Sequence, residues 1–281
     1  MEISPNTYIG AVNLSVSDLE KAGDYYRRVL GLQLIHAEPG RLDLGAGEHI
    51  LLRLFEMPGA QRSPHATGLY HFALRVPSRL ELARTLRNLS ENKAYFVGFA
   101  DHYVSEALYL ADPDGHGIEI YRDRPREQWL DERGQLKMTT DPLDLEGLIK
   151  ELASDSRPWQ GIDPETVMGH IHLQVDNIPQ TRDFYSNVLG FGVMADMGSA
   201  AFLSAGGYHH HIGMNTWTSA GGPPAPENSL HLLEYEIILP DAAGLEQVTQ
   251  QLDQAGYTYT HNNSSLELKD PAHINIELKT A

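Results

Sequence analysis

The chain of 281 residues holds fourteen histidines and no cysteine. Imidazoles and carboxylates are therefore the groups available for metal binding and proton transfer. Thiol catalysis, Cys-ligated zinc, iron–sulfur clusters and disulfides are excluded. Three placements invite chemistry. The first is the spaced set His102-x5-Leu108-Tyr109-x2-Asp112-Pro113-x-Gly115-x3-Glu119, whose last member sits in the apolar stretch Ile118-Glu119-Ile120. An inward-facing carboxylate there costs several kcal/mol unless it is partnered, so Glu119 demands a cation or donors. Glu277, in Ile276-Glu277-Leu278, makes the same demand or faces solvent. The second is the internal run Gly206-Gly207-Tyr208-His209-His210-His211-Ile212-Gly213, flanked by the strand-like AFLSA and IGMN. Period-two geometry places His209 and His211 on one face and His210 on the other. The third is a pair of histidines, His71 and His170, each in an apolar, alternating stretch.

An internal repeat supplies the elements that must hold these groups. YIGAVNLSVSDLEKAGDYYRRVLGLQL and VMGHIHLQVDNIPQTRDFYSNVLGFGV align without gaps, placing Tyr25-Tyr26 on Phe184-Tyr185 and Leu30-Gly31 on Leu189-Gly190. Each opens on an alternating strand pattern, continues through a capping pair (Ser17-Asp18, Asp176-Asn177) into a helix, and stops at Leu-Gly. A fainter repeat follows each copy. It places Asp112-Pro113 on Asp270-Pro271 and Glu119 on Glu277, with helical stretches over 79–92 and 242–256. The chain reads as an α+β protein of four βαβββ modules at roughly 7–57, 67–122, 166–217 and 229–279. An N-terminal half (1–125) carries modules 1 and 2 and a C-terminal half (166–281) carries modules 3 and 4. The connection 126–165, with one helix near Leu143–Leu152, is too long for an ordinary loop and lets modules pair out of chain order.

The formal net charge of −17 repels phosphate backbones and anionic lipid, which excludes nucleic acid and membrane-surface partners. The N-terminus lacks a secretory pattern, and no apolar run approaches the roughly 20 residues of a membrane-spanning helix. A soluble, cytoplasmic protein is expected.

The four modules, with strand-opening His and strand-closing Glu, resemble the vicinal oxygen chelate (glyoxalase/bleomycin resistance/dioxygenase) superfamily. The resemblance covers nearly the whole chain and implies two curved mixed-sheet cups. In that superfamily a divalent metal sits between two paired modules, with one ligand from each first strand and a carboxylate from a last strand, and the resemblance implies the same here. The His102–Glu119 segment resembles the extradiol dioxygenase signature. It departs at Ala100, a loop position where Gly, Asn, Thr or a small β-branched residue is usual. With the GGYHHHIGMNTW segment, the architecture looks most like catechol 2,3-dioxygenases of the bacillus type.

First strands then offer Ala11, His71, His170 and Glu234, and closing strands of the even modules offer Glu119 and Glu277. Pairing in chain order gives Ala11/His71/Glu119, which lacks a ligand, and His170/Glu234/Glu277. Pairing modules 2 and 3 gives His71/His170/Glu119, the two-His-one-carboxylate set of O2-activating non-haem iron. Ala11/Glu234/Glu277 remains as a vestige. The crossed pairing is preferred because the signature ends at Glu119. The resemblance implies acid–base catalysis by His211, with His210 as competitor. It also implies a hydrogen bond from His102 to a substrate hydroxyl and stabilisation of a ketonised intermediate by Tyr109. A half-buried strand tyrosine is the plain alternative for Tyr109. His172 is a supporting donor or pocket lining, and His116 a solvated turn residue. The implied activity is Fe(II)-dependent, or Mn(II)-dependent, extradiol cleavage of catechol or a substituted catechol with O2. It gives a 2-hydroxymuconic-semialdehyde type product, as in aromatic hydrocarbon catabolism, and the protein is expected to be a homo-oligomer. Two alternatives stand: a glyoxalase- or isomerase-type site on His170, Glu234 and Glu277, and a metal-free small-molecule binding protein.

Overall fold

A computed structural model describes residues 1–262 and 264–281. The first module runs β1 (Tyr8–Val16), α1 (Leu19–Asp24), β2 (Gln33–Glu38), β3 (Arg41–Ala46) and β4 (His49–Glu56). The second runs β5 (Gly68–Arg75), α2 (Arg79–Glu91), β6 (Phe96–Asp101), β7 (Ser105–Ala111) and β8 (Gly117–Asp123). After a connection carrying α3 (Leu145–Lys150), the third module has β9 (Val167–Gln174), α4 (Ile178–Asp183), β10 (Gly192–Asp196), β11 (Ala200–Ser204) and β12 (Ile212–Asn215). The fourth has β13 (Leu232–Leu239), α5 (Ala242–Ala255), β14 (Tyr259–Asn262), β15 (Ser265–Lys269) and β16 (Asn275–Thr280).

The strands form two mixed eight-stranded sheets, ordered β14-β15-β16-β13-β1-β4-β3-β2 and β10-β11-β12-β9-β5-β8-β7-β6. The chain divides into two compact units. One comprises Met1–Ser15, Gly59–Tyr70 and Gly169–Ala281, and the other Val16–Pro58 and His71–Met168.

The unit of Val16–Pro58 and His71–Met168 shows why the local sequence folds as it does. Asp18 caps α1 by accepting from Lys21 N, and Ser78 caps α2 by accepting from Glu81 N, each satisfying a first-turn donor. The helix after Asp24 widens into a π turn over Tyr25–Val29, closed by Leu30 N donating to Tyr25 O. No spacing signal in the sequence marks this turn. Gly31 follows at φ 85°, and a Cβ there would lie 2.6 Å from the Trp159 ring, so both backbone and packing require glycine. The Tyr26 hydroxyl donates to Asp112, whose other oxygen accepts from Asp114 N and His116 N. The Asp-Pro turn between β7 and β8 is thus fixed by its own carboxylate and braced by the helix. Buried Arg84 carries α2 onto the connection, through Asp155 and the carbonyls of Arg157 and Pro158.

The unit of Met1–Ser15, Gly59–Tyr70 and Gly169–Ala281 repeats the same devices. Asn177 caps α4 and a π turn spans Phe184–Val188. Gly190 sits at φ 88°, where a Cβ would lie 2.4 Å from Met1 O. The Tyr185 hydroxyl donates to Asp270 and meets the Tyr235 hydroxyl at 2.7 Å. Full burial pushes the Asp270 carboxyl up to about 7. No helix among the described residues is long and apolar enough to cross a membrane.

Candidate metal centre

Register places the catalytic candidates. Across β5, β8 and β7, Ala73 pairs with Glu119 and Glu119 with Tyr109, so all three share one face of the sheet. His71, two residues before Ala73, joins them. Gly117 opposite His71 and Gly98 opposite Tyr109 are small, which leaves room for the imidazole, carboxylate and phenol. The other face carries Phe72, Leu74, Leu108, Leu110, Ile118 and Ile120, all buried. His71 Nε2 lies 3.0 Å from Glu119 Oε2, with both side chains buried. The Tyr109 ring stands 5.7 Å from that of His71, on the face the alternation predicts.

His102 sits just after β6, in the hairpin that leads to β7. Its Nδ1 lies 2.7 Å from the Thr139 carbonyl and its Nε2 2.7 Å from the Tyr109 hydroxyl. A carbonyl can only accept, so Nδ1 carries the proton and Nε2 receives the Tyr109 hydroxyl. Ala100 lies within β6, paired with Ala107, and is not the loop position expected; alanine is at home in that buried strand. His116 is also not solvated. It is 1% exposed, because the Asp112 carboxylate draws the turn inward through its backbone N–H.

On β9, His170 and His172 share a face, and both are buried. His172 pairs with Gly213 of β12, where a Cβ would come within 3.0 Å of the imidazole. His172 Nε2 accepts from Asn215 Nδ2 at 3.0 Å. Its ring lies 5.7 Å from Phe202, 5.1 Å from Tyr70 and 5.8 Å from Trp217, an aromatic surround that no sequence pattern singles out. The three consecutive histidines precede β12, which starts at Ile212, so strand alternation does not govern them. The paired glycines Gly206 and Gly207, at φ 57° and 65°, turn the chain there. His210 packs on His170 with ring centroids 4.1 Å apart, and its Nδ1 meets His209 Nδ1 at 2.9 Å. His211 Nδ1 accepts from Ala205 N at 3.1 Å.

His71, Glu119 and His170 each offer one ligand atom, and these atoms all lie within 4.8 Å of one another. Ligand atoms about 2.1 Å from a shared ion and about 90° apart lie roughly 3 Å from each other, as His71 and Glu119 do. Two imidazole nitrogens and one carboxylate oxygen, all buried, fit a divalent transition metal. Glu234 and Glu277 do not join this group. Glu234 accepts from Asn13 at 3.1 Å, and Glu277 lies 3.4 Å from the Lys279 ammonium.

The chain belongs to the Glyoxalase/Bleomycin resistance protein/Dioxygenase superfamily, whose family model matches residues 8–120 and 167–278. Its fold is the vicinal oxygen chelate fold with duplicated modules. Among curated proteins, catechol-2,3-dioxygenase of Bacillus subtilis (strain 168) is 42% identical over 275 residues, covering 96% of this chain and 95% of that one. Biphenyl-2,3-diol 1,2-dioxygenase 3 of Rhodococcus globerulus is 29% identical over 39% of this chain and 60% of its own. Among solved structures, glyoxalase I of Zea mays superposes with a TM-score of 0.60 at 15% identity, covering 98% of this chain and 92% of that one. The resemblance drawn from the repeat and the His102–Glu119 motif therefore holds, and the chain is similar to a protein named as a dioxygenase over 96% of its length.

Proposed function

We propose that this protein is an extradiol ring-cleaving dioxygenase acting on catechol or a substituted catechol. The observation that carries the reading is the buried His71/Glu119/His170 group, with the His102–Tyr109 pair on the same run of strands. The likeness to a catechol-2,3-dioxygenase supports it. Fe(II), or Mn(II) in its place, held by those three side chains would supply Lewis-acid and one-electron chemistry to a vicinal diol and O2.

The remaining work falls to the chain's own side chains. Phe202, His172, Trp217 and Tyr70 suit the faces and edges of a flat aromatic ring. His210 fits the proton acceptor. The tautomer in which its Nδ1 donates to His209 leaves Nε2 a lone pair. His211 fits the proton donor, since accepting the Ala205 N–H at Nδ1 puts its ring proton on Nε2. Tyr109 and His102 form a relay. Tyr109 Oη takes a substrate hydroxyl proton as its own proton passes to His102 Nε2, and the pair then holds the negative charge on the substrate oxygen. Both oxygen atoms of O2 enter the product, a 2-hydroxymuconic-semialdehyde type acid, so no other reductant is needed.

An aerobic assay of iron-loaded protein with catechol tests the reading. O2 uptake with a yellow product is expected. Tight metal binding without O2 uptake on any catechol would move the protein to the isomerase class.

A further inference from the structure

The connection between the second and third modules does more than span a distance. It is fastened onto the hairpin that carries His102. Asp101 and Asp141 exchange backbone hydrogen bonds, Asp101 N donating to Asp141 O at 2.8 Å and Asp141 N to Asp101 O at 2.9 Å. Thr139 N donates to His102 O at 3.2 Å, and the Thr139 carbonyl accepts a hydrogen bond from His102 Nδ1 at 2.7 Å. The Lys137 ammonium lies 3.9 Å from the centre of the Tyr103 ring.

The hairpin needs such a grip. Tyr103, next to His102, sits at φ 69°, a left-handed conformation that costs a non-glycine residue of order 1–3 kcal/mol. Asp101 Oδ1 accepts from Tyr103 N at 2.8 Å. Arg124 holds the Asp101 carboxylate with its two terminal guanidinium nitrogens, and Nη1 also donates to Tyr103 O at 3.0 Å. Its fork holds the Asp101 carboxyl below the usual carboxylate range. Trp129, 4% exposed, donates its indole N–H to Arg124 O, and its own carbonyl accepts from Lys137 N. The strap and the strained turn thus form one hydrogen-bonded block.

We propose that residues 129–141 are a positioning element, in which the Thr139 carbonyl selects the His102 tautomer that accepts from Tyr109. The other ring nitrogen faces a hydroxyl, which can donate or accept and so imposes no choice of its own. The carbonyl can only accept, and it therefore decides. With Nδ1 protonated, Nε2 must accept, so Tyr109 gives its proton toward His102 and turns its oxygen lone pairs to the substrate. Without the strap the imidazole rotates or changes tautomer, and the relay loses its acceptor. The Thr139 hydroxyl also reaches Asp101 O, at 3.5 Å, but the group that selects the tautomer is a main-chain carbonyl, so this role leaves no mark in residue type. The proposal rests on His102 acting as a catalytic group in ring cleavage, but its structural half is testable without turnover.

The test uses ring-15N histidine spectra, with the His102 signal assigned by His102→Gln, alongside steady-state kinetics of the iron-loaded enzyme. Wild type is expected to show His102 as a single Nδ1–H tautomer. Thr139→Pro deletes the N–H and displaces the carbonyl. It is expected to lose that signature, lower kcat about 10-fold with KM and iron content unchanged, and add nothing in a His102→Phe background. The 10-fold loss is part of the roughly 10²–10⁴ that general acid–base groups contribute. Arg124→Met reaches the same turn through Asp101 and is expected to act in the same direction, with Arg124→Lys restoring part of the rate. An unchanged His102 tautomer in both Thr139→Pro and Arg124→Met overturns the proposal. So does an equal loss of kcat in the presence and absence of His102. If no catechol is cleaved by any form, the dioxygenase reading fails, and the spectra still decide whether the strap sets the tautomer.

Discussion

Equivalent strands of the two sheets solve one problem in opposite ways. On β5, β8 and β9 the equivalent positions hold His71, Glu119 and His170, and their ligand atoms lie within 4.8 Å of one another. On β13, β16 and β1 they hold Glu234, Glu277 and Ala11. The second set is richer in carboxylate, yet its charge is answered from within. Lys279 reaches Glu236 at 2.5 Å and Glu277 at 3.4 Å, Glu236 also accepts from Ala11 N, and Asn13 donates to Glu234. At the positions of Glu236 and Lys279 the first set has Ala73 and Tyr121, packed in an apolar cluster with Ala107 and Tyr109. Acidic residues alone thus do not make a metal site. Neutral imidazole donors beside one carboxylate ask for a divalent ion, whereas a carboxylate group with its own ammonium does not.

The largest test of this contrast removes a donor from each side. Glu119→Ala or His71→Ala is expected to abolish iron retention and ring cleavage. The loss should exceed the roughly 10–100-fold typical of residues that merely support ligands. Glu234→Ala and Glu277→Ala should keep both properties, and the reverse pattern, read by metal analysis and O2 uptake, breaks the comparison. Next in size, His210→Phe should keep iron and lose about 10²–10⁴ in kcat, with His211→Phe losing less. The opposite ranking assigns the proton acceptor to His211. Tyr109→Phe should cost about 10²–10³ in kcat. Its stability, from thermal melts, should change by about 1 kcal/mol or less, and wild-type turnover would reduce Tyr109 to packing. The smallest effect concerns the other sheet. Lys279→Met removes the cation beside Glu236 and should destabilise by about 2 kcal/mol, less than the roughly 3–5 of a fully buried pair, because Lys279 keeps 27% of its side chain exposed. Turnover of the folded enzyme should not change. Two metals per chain in this variant would reveal a latent second site and blur the contrast.

Much of this is legible in the sequence. The modules, the helix caps at Asp18 and Asn177, and the face shared by Tyr109 and Glu119 all follow from residue types at fixed spacings, because backbone geometry converts spacing into direction. Legibility stops where backbone atoms or turns decide. The histidine run reads as strand-borne because its flanks alternate, but two left-handed glycines end the strand first. His116 reads as solvated because its neighbours form a turn, yet the Asp112 carboxylate, four residues earlier, pulls it inside. The His102 partner is a main-chain carbonyl, which every residue type carries, so only proline, lacking the N–H that Thr139 gives to His102 O, stands out as unsuited at 139.

The central claim is that His71, Glu119 and His170 hold one catalytic metal. Its most direct test is a structure of the protein loaded anaerobically with Fe(II), the ion located by anomalous scattering. One ion within about 2.0–2.2 Å of one nitrogen of each histidine and one Glu119 oxygen is the predicted result. An ion seated on Glu234 and Glu277, or none bound after loading, would contradict it.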